Sequence, residues 1–462
     1  MKNRINEIIE KFQSQIEEIM ASTGSISIRE AEDRFRKPTQ EFLCSIMQAY
    51  YEEIDEALRL DKAGRKAAGL VVERRHDKRS VLTDFGELEY KRTYYVNQAE
   101  QRYEYPVDQV AGLEGYERIS GTIGIELTAA ACTTSYANSS SFVTGGNVSR
   151  QTVMHKIREC EPQQEKTERR KVPFLHVDAD EDHITLIGGK NTILPLISIY
   201  EGIDRQGDRG VCRNVFHISE YGMETDQLWE QVLDRIEERY DLSDTKIYLH
   251  GDGARWVRKG LEWLPNSHFV LDKYHRNKAI KEITAGADSC LKGHYAKTIK
   301  QALLNGDCVA VAETVEKCIA QSPDRAEKIQ EAAGYLIDFQ DAIAITATDP
   351  EANNGGCTEP HVSHVLSSRL SSRPMAWSKR TLKALAPILA SNRSLRIVRK
   401  KQPNPIPLLT AAAQAAGKAV STARNNRNTA GLTDPDISVN LTLLQNGKVT
   451  PLFKTLHSIS QS

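Results

Sequence analysis

Acidic side chains stand in three separate stretches of the chain. Asp178, Asp180 and Asp182 lie in FLHVDADEDHITL, Asp252 lies in IYLHGDGARW, and Glu359 lies in GCTEPHVSHVLSSRL. Carboxylate oxygens without clustered Cys or His are the ligands that Mg²⁺ and Mn²⁺ prefer. Two such ions held by converging carboxylates activate an attacking oxygen and stabilise a leaving oxygen in phosphodiester displacement. The three stretches therefore indicate metal-dependent chemistry on nucleic acid.

The apolar runs around the aspartates predict the elements that position them. The first stretch lies in a strand-like run, and because strand side chains alternate, its three aspartates share one face if the strand continues through them. Asp252 follows an adjacent strand and is expected to reach the same face at the end of the sheet. A simple Asp-Gly turn in HGDG is the alternative interpretation for Asp252.

Glu359 opens a predicted helix. Thr358 is its expected cap, and Pro360 lies in its first turn. Apolar residues recur along it at three- and four-residue steps, namely Val362, Val365, Leu366 and Leu370. We expect this stripe to bury the helix, so that Glu359 converges on the aspartates.

The order of strand-like and helical runs predicts an α/β protein. Two strand runs between 172 and 203 come first, and strands then alternate with helices as far as residue 275, which indicates a sheet with mixed pairing. The pattern over 276–350 is helical. We interpret that segment as an insertion into the sheet domain, because the final part of the core, 351–400 with its Glu359 helix, comes only after it.

Helices and a hairpin are predicted before the sheet. Residues 1–70 carry a helical apolar stripe, which packs within the chain or against a second subunit. The region 71–160 begins with strand-like runs on both sides of DFGE, which predict a β-hairpin.

Residues 119–160 have the pattern of a helix-turn-helix. Gly145-Gly146 separates helical segments, and Ser149 is a candidate N-cap for RQTVMHKIREC. The reading helix would offer four side chains to a DNA groove, namely Arg150, Gln151, His155 and Lys156. An ordinary small helical bundle would show the same pattern.

Positive charge is concentrated near the C-terminus, although the whole chain has a net charge of -1. From residue 360 to 433 there are thirteen Lys and Arg residues and no Asp or Glu. A stretch of one sign repels itself unless a polyanion such as DNA neutralises it. A solvated basic helix face is the alternative. Within this stretch and its tail, 401–462, we expect phosphate contacts from Arg369, Arg373, Arg396, Arg399, Lys400 and Lys401.

Length and composition indicate a soluble chain of several domains. Its 462 residues exceed one ordinary domain, and its 40% hydrophobic content supplies a sizeable core. The sequence lacks an apolar run of about 18 residues and a signal peptide, so we expect no membrane association and a cytoplasmic location. Eight scattered cysteines form no CxxC pair, and we interpret them as reduced thiols rather than zinc ligands.

These motifs resemble the ISLre group of bacterial insertion-sequence transposases, long classed as an uncharacterised protein family and distantly related to Mutator-type transposases. The resemblance covers nearly the whole chain, and its most specific blocks are HVDADEDHI, YLHGDGARW, LDKYHRNKA and CTEPHVSHVLSSRLSSRPMAWS. It implies a ribonuclease H-like catalytic core interrupted by an all-helical insertion. The implied DDE triad is Asp180, Asp252 and Glu359, with Asp178 as the alternative first aspartate.

The resemblance also implies a function. It implies a DNA transposase, acting as a homo-oligomer, that binds the inverted-repeat ends of its element as double-stranded DNA. Strand cleavage and strand transfer would use Mg²⁺ or Mn²⁺. Two alternatives belong to other classes: a catalytically silent, transposon-derived DNA-binding protein, and a stand-alone metal-dependent nuclease.

Two smaller motifs follow from the resemblance. Asp272 and His275 match a D-x-x-H element beside the second aspartate, where the pair would orient a phosphate or a metal-bound water. Trp377 would stack on an extruded base. A solvent-facing histidine and an ordinary core tryptophan are the alternatives.

Overall fold

The chain divides into two compact units in the computed structural model. The structure describes residues 2–22, 24–98, 100–163, 168–207, 209–391 and 395–397. Within these, the first unit holds the chain up to Ser80 and Leu88–Glu114, and the second holds Val81–Glu87 and the chain from Gly115 onward. The predicted α/β character is confirmed. The hairpin and the helices that we grouped as 71–160 divide between the two units.

Helices and a small sheet form the first unit. Its elements are α1 (Lys2–Ala21), α2 (Ile28–Leu60), α3 (Lys62–Ala67), β1 (Leu70–Thr83), β2 (Gly86–Asn97), β3 (Arg102–Glu104) and α4 (Pro106–Val110), except that the hairpin end Val81–Glu87 belongs to the second unit. The strand order is β1-β2-β3, and a two-residue turn at Asp84 and Phe85 joins the first two strands, so the hairpin is confirmed. Helix α1 packs on α2, where Phe12 stacks on Phe42 with ring centroids 4.5 Å apart.

Three short helices open the main part of the second unit. They are α5 (Gly121–Ala131), α6 (Tyr136–Thr144) and α7 (Arg150–Glu159). Each has a serine N-cap whose hydroxyl accepts a backbone N–H from the first turn, namely Ser120, Ser135 and Ser149. Gly145 ends α6 in the left-handed conformation, with φ of 62°. Each helix packs on the other two, and the predicted glycine turn and Ser149 cap are confirmed.

A five-stranded mixed sheet follows. The next elements are β4 (Cys160–Pro162), β5 (Arg170–Lys171), β6 (Phe174–Thr185), β7 (Asn191–Tyr200), β8 (Ile203–Gln206), β9 (Arg209–Cys212), β10 (Phe216–Ile218), α8 (Thr225–Glu237), β11 (Tyr240–Asp241), β12 (Lys246–Gly251), α9 (Arg255–Trp263) and β13 (Ser267–Leu271). The sheet has the order β10-β7-β6-β12-β13. Strands β10, β7 and β6 are antiparallel neighbours, whereas β6, β12 and β13 run parallel, so the predicted mixed pairing is confirmed.

A helical segment separates the sheet from Glu359. It comprises α10 (Lys273–Thr284), α11 (Ser289–Asn305), α12 (Cys308–Gln321), a 3₁₀ turn (Pro323–Arg325), α13 (Ala326–Asp338) and α14 (Gln340–Thr348). The side chains of Ile283, Leu303 and Leu336 are fully buried in its core. No strand interrupts residues 273–348, in agreement with the helical pattern of the sequence. In the parts of the chain that the structure describes, no helix is both long and apolar enough for a membrane span.

The Glu359 helix contains a π-helical turn. The last described elements are α15 (Thr358–Val362), the π turn (Ser363–Ser367), α16 (Ser368–Leu370), α17 (Lys379–Ala390) and β14 (Leu395–Ile397). The predicted apolar stripe is buried at Val362, Leu366 and Leu370 and half-buried at Val365. Strand β14 pairs antiparallel with β4. Because π turns concentrate at functional sites, this helix is a place to search for one.

Both faces of the central sheet are covered. On one face, Val177 and Ala179 of β6 pack against α8 and α9. On the other face, Ile184 packs with Leu366 and with α5 and α7. Because side chains alternate along β6, Asp178, Asp180 and Asp182 share the second face, which is the face that the Glu359 helix covers.

Candidate active site

Strand β6 carries Asp180, and the elements that carry or precede Glu359 and Asp252, α15 and β12, pack on it. Asp252 directly follows β12, and in the parallel register His250 pairs with Asp178, which places Asp252 level with Asp180. Glu359 lies in the first turn of α15, which packs on β6. The charges of Asp252 and Glu359 both act on Asp180. The structure thus brings acids from all three stretches into one electrostatic neighbourhood.

Asp180 is the acid whose protonation this neighbourhood changes. Burial raises the pKa of Asp180 to about 6, and the charges of Asp252 and Glu359 act in the same direction. The backbone N–H of Glu181 and the side chain of His275 act in the opposite direction. The ionised carboxylate is therefore disfavoured by burial and by two like charges, which is a setting in which a cation would be stabilised.

The carboxylates do not form a closed ligand set as they stand. Asp180 Oδ1 accepts the N–H of Glu181 and Asp252 Oδ1 accepts the N–H of Ala254, both at 2.8 Å. Within the described residues, no three His, Cys, Asp or Glu side chains are grouped so as to hold a metal ion. The oxygen-only donor set fits the chemistry of Mg²⁺ or Mn²⁺. For Asp252 both interpretations apply, because one oxygen closes its turn while its charge acts on Asp180.

Asp178 lies on the same face but has a different environment. It is 1% exposed and accepts hydrogen bonds from the Tyr200 hydroxyl at 3.0 Å and the Cys357 backbone N–H at 2.8 Å. His361 Nδ1 lies 3.4 Å from Asp178 Oδ2. These contacts tie the start of the Glu359 helix to β6, so Asp178 is an anchor, and the charges of Asp252 and Glu359 act on Asp180.

Asp182 anchors the other end of the same helix. The Ser371 hydroxyl, which follows α16, lies 2.9 and 3.0 Å from the two carboxylate oxygens of Asp182. The first acidic stretch therefore holds the helix at both ends and leaves Asp180 between the two anchors.

Asp272 and His275 stand beside the three acids. Asp272 is 2% exposed, caps α10, and accepts a 2.9 Å hydrogen bond from the Thr358 hydroxyl. Thr358 is the first helical residue and not the predicted cap: Cys357 takes the N-cap position, and the Thr358 hydroxyl donates to Asp272. Asp272, 3.3 Å away, raises the pKa of His275, and Asp180 adds to this shift. With 22% of its side chain exposed, His275 does not fit the solvent-facing alternative.

Two buried histidines support the loop before Glu359. His176 Nδ1 lies 3.1 Å from His250 Nε2, and His176 Nε2 lies 3.1 Å from Glu351 Oε1. Burial lowers the pKa of both rings, that of His250 to about 4. A Cβ at Gly355 would lie 2.4 Å from nitrogen atoms of both. Our sequence reasoning missed this pair, although the repeated His-x-Asp of LHVD and LHGD was a signal for it.

The helical insertion contacts the turn that carries Asp252. The Tyr335 hydroxyl of α13 donates a 2.7 Å hydrogen bond to the backbone oxygen of Asp252. Gly253 has a φ of 88°, and a Cβ there would lie 2.2 Å from Cζ of Phe339. Only glycine satisfies both this conformation and this contact. The insertion therefore helps to fix the position of the second acid.

Helix α7 offers fewer side chains to a groove than we predicted. Arg150, Gln151 and His155 are exposed. Lys156 is 6% exposed, and its Nζ donates to Glu117 at 2.7 Å and to Glu159 at 2.9 Å. The prediction for Lys156 is wrong, because its charge is neutralised within the protein.

Arg369 also lies inside the protein, contrary to the predicted phosphate contact on its surface. It is 7% exposed, its Nε donates to the backbone oxygen of Ala131 at 2.6 Å, and its guanidinium lies 4.6 Å from the ring centroid of Trp377. Trp377 is 6% exposed and donates its indole N–H to the backbone oxygen of Leu370 at 2.9 Å. The core alternative for Trp377 is the one that fits.

The remaining cations are exposed or lie outside the described residues. Arg373 is exposed. Arg396 is exposed and lies 3.1 Å from Glu161 on the neighbouring strand, a surface pair of small energetic value. The side chains that remain of the predicted set, Arg399, Lys400 and Lys401, lie outside the described residues, as does the rest of the tail 401–462.

Comparison with known proteins places the chain in a family. Residues 21–402 match the model of an uncharacterised protein family, UPF0236. The chain belongs to UPF0236. One UPF0236 relative, from Caldanaerobacter subterraneus subsp. tengcongensis, is 34% identical over an alignment of 451 residues that covers 94% of this chain and 92% of the relative. The name of that relative joins eleven locus designations.

Two further UPF0236 relatives show the breadth of the similarity. The protein TTE2489 of the same organism is 32% identical over 465 residues, covering 97% of this chain and 96% of its own. The "UPF0236 protein in vanSb 3'region" of Streptococcus gallolyticus is 26% identical over 346 residues, covering 69% and 74% respectively. The UPF0236 match includes all three acids of the candidate site.

Proposed function

We propose that this UPF0236 protein is a DDE-type DNA transposase of the ISLre type. It binds the ends of its insertion sequence and catalyses metal-dependent strand cleavage and strand transfer. The observation that carries the proposal is the convergence of Asp180, Asp252 and Glu359, which come from three distant stretches and share one electrostatic neighbourhood.

The topology of the sheet supports the proposal. Three antiparallel strands, β10, β7 and β6, are followed by two strands parallel to β6, with a helix before each of the last two. This arrangement fits a ribonuclease H-like core with its acids on the central strand, after the neighbouring parallel strand, and on a later helix. The helical insertion lies between the second and the third acid, as the resemblance implies.

Asp180, Asp252 and Glu359 would hold the metal. Mg²⁺ or Mn²⁺, when bound, would activate the attacking oxygen and stabilise the leaving oxygen. In the described residues, each aspartate engages one oxygen with a nearby backbone N–H, and no hydrogen bond to the other oxygen is present. The second oxygen of each carboxylate would therefore be available to hold a cation.

Asp272 and Thr358 position groups around the acids. Asp272 holds His275 at 3.3 Å and also accepts the Thr358 hydroxyl next to Glu359. His275, whose pKa is raised chiefly by Asp272, is placed to donate a proton in a hydrogen bond to a phosphate oxygen near the acids. Asp178 and Asp182 hold the Glu359 helix in place.

Exposed side chains supply the expected contacts to double-stranded DNA. Arg150, Gln151 and His155 lie on the exposed side of α7, the helix that follows the glycine turn of the helix-turn-helix-like group. Two further cations are exposed: Arg373, shortly after the Glu359 helix, and Arg396, within β14. Because transposition requires two element ends to be held together, we propose a homo-oligomer.

The relatives add genetic support. One relative's name joins eleven locus designations from a single organism, and another joins four. One protein present at many loci of one genome is what a self-copying element leaves behind. This supports a mobile element and counts against a stand-alone nuclease with a housekeeping role.

Cleavage of labelled duplexes that carry the DNA flanking the coding region tests the proposal. We expect cleavage and joined products in Mg²⁺ or Mn²⁺, and binding without efficient cleavage in Ca²⁺. Asp252→Asn and Glu359→Gln should abolish cleavage and retain DNA binding. Asp244→Asn and Glu262→Gln, at exposed positions, are the matched controls and should retain cleavage.

Three outcomes would contradict the proposal. Cleavage that persists in excess EDTA would exclude the metal. Cleaved ends without joined products would favour the nuclease alternative. Sequence-specific binding with no cleavage by the unaltered protein in any of these metals would favour the silent DNA-binding alternative.

A further inference from the structure

A pocket beside the end of the Glu359 helix gathers positive charge. Its volume is about 500 Å³, and it is lined by residues of α6, α7 and the segment 368–381. Arg158, Arg369 and Arg373 line it, and no Asp or Glu is among the described residues that do. A largely apolar pocket of this size with a few placed polar groups is typical of a ligand site.

Arg369 is a buried cation without a carboxylate. Its described contacts are the backbone oxygen of Ala131, the sulfur of Met375, and the rings of Tyr136 and Trp377. Burial lowers the pKa of Arg369, and Arg373 adds to this effect. An arginine stays charged in proteins, and a buried charge is costly unless an anion accompanies it. The described residues that line the pocket therefore leave its positive charge without a negative partner, which favours an anionic ligand.

Two helix N-termini add to the positive potential. Ser135 caps α6 and Ser378 caps α17, and both caps line the pocket. The N-terminus of a helix carries a partial positive charge and favours phosphate. Arg158 fixes the second of these ends, since its guanidinium donates to Ser378 at 3.2 Å and to Thr381 at 2.8 Å.

Tyr136 supplies a flat ring next to these charges. It is half-buried, and the guanidinium of Arg369 lies 5.8 Å from its centroid. Met154 and Ile187 contribute apolar side chains to the lining of the pocket, and Ile187 is 70% exposed. Aromatic rings beside arginines stack on the bases of single strands while the cations hold the backbone.

We propose that this pocket binds one unpaired nucleotide of a DNA strand. Arg158, Arg373 and the two helix N-termini hold its phosphate, and its base lies against Tyr136. The choice of DNA as the source rests on the proposed function, whereas recognition of a phosphate with a flat ring rests on the pocket alone. Arg369 is ten residues beyond Glu359, about 15 Å along a helix, so the pocket holds the strand a few nucleotides from the acids.

Binding of the full-length protein to fluorescein-labelled DNA, in EDTA and followed by anisotropy, tests this proposal. The probes are a single strand of about 12 nucleotides and its duplex. Arg373→Ala should weaken single-strand binding about tenfold, and Tyr136→Leu by a similar factor, because a charged hydrogen bond and a stacked ring are lost. Arg380→Ala removes an exposed cation of α17 that does not line the pocket and should change it less than about twofold.

Competition separates recognition of the base from recognition of phosphate. dAMP should displace the single strand at a lower concentration than inorganic phosphate does, and Tyr136→Leu should remove that advantage. Equal effects of Arg373→Ala and Arg380→Ala would overturn the pocket as the binding site, and equal potency of dAMP and phosphate would overturn the role of Tyr136. Since EDTA prevents cleavage, these outcomes are independent of the cleavage assay that tests the proposed function.

Discussion

The hydroxyl of Thr358 donates a 2.9 Å hydrogen bond to Oδ1 of Asp272 across 86 residues of chain. All of the helical insertion lies between the two residues. The bond joins the first turn of the Glu359 helix to Asp272, the N-cap of α10. The first turn of α10 carries His275. The insertion therefore leaves and rejoins the core at one hydrogen bond.

Replacing Thr358 by Val should cost about 1 to 3 kcal/mol of unfolding free energy, because it leaves a buried carboxylate oxygen of Asp272 without its donor. Urea unfolding measures this change. Thr298→Val, at a hydroxyl that bonds only within the exposed face of α11, is the matched control and should change the free energy by less. Equal effects of the two substitutions would show that the bond to Asp272 is unimportant.

Gly355→Ala should be strongly destabilising, by roughly 2 kcal/mol or more, since the new methyl group would overlap the rings of His176 and His250. Gly334→Ala adds the same methyl group inside α13, where nothing lies within 4 Å, and should be neutral or stabilising. Thermal unfolding of both variants measures the difference. A Gly355→Ala variant as stable as the unaltered protein would contradict the tight packing of this loop.

Asp178→Asn and Asp180→Asn should separate anchoring from catalysis. Asp178→Asn should lower stability, because the Cys357 N–H and the Tyr200 hydroxyl lose a charged acceptor. Asp180→Asn should leave stability unchanged or raised, since it removes one of three like charges, and should abolish cleavage. Unfolding and cleavage are measured on both. Full cleavage by Asp180→Asn would make Asp178 the first catalytic acid.

Lys156 and Arg150 should respond differently to substitution although both belong to α7. Lys156→Ala should lower stability by about 1 to 3 kcal/mol, because the partly buried Glu117 loses its partner. Arg150→Ala should leave stability unchanged and lower the preference for element ends over random DNA, with a change of no more than about one unit in the log-log salt slope. Salt titrations on both DNAs decide the matter, and an unchanged preference would remove α7 from the reading surface.

Asp349 should give stability that depends on acid pH. Hydrogen bonds from Lys246 and Tyr248 lower the pKa of Asp349 from 3.8 to about 2. A lowered folded-state pKa stabilises the fold above the unfolded value and loses that contribution as the pH falls toward the folded value. The difference in unfolding free energy between the unaltered protein and Asp349→Asn should therefore be full above about pH 5 and should shrink between pH 3.8 and about 2. Asp324→Asn, a substitution of the same kind at an exposed position, is the control.

The sequence predicted features that depend on local patterns. The hairpin around DFGE, the Ser149 cap and the buried stripe from Val362 to Leu370 all follow from spacing within about ten residues, and the structure has them. Strand alternation and parallel pairing are simple geometric rules, so the shared face of Asp178, Asp180 and Asp182 and the place of Asp252 after the neighbouring parallel strand could be predicted.

Features that depend on distant partners were not predictable in this way. Lys156 is buried because Glu117 lies 39 residues earlier, and Arg369 is buried by Ala131, 238 residues earlier. The sequence pattern of a basic stretch does not show which of its side chains are exposed to solvent and which are buried: Arg369 is buried, whereas Arg373 is exposed. Thr358 is a residue type that commonly caps helices, but in the structure it is the first helical residue and its hydroxyl donates to Asp272.

The pairing of β14 with β4 has a consequence for the order in which the protein can mature. The core shared by α5, α7 and the Glu359 helix also includes Leu395, so it draws on residues from 119 to 395. During synthesis β4 (Cys160–Pro162) has no partner strand until β14 (Leu395–Ile397) has been made. A truncated product that still encodes the helix-turn-helix-like group would thus display an unfinished edge, a target for proteolysis or self-association rather than a competent DNA-binding fragment.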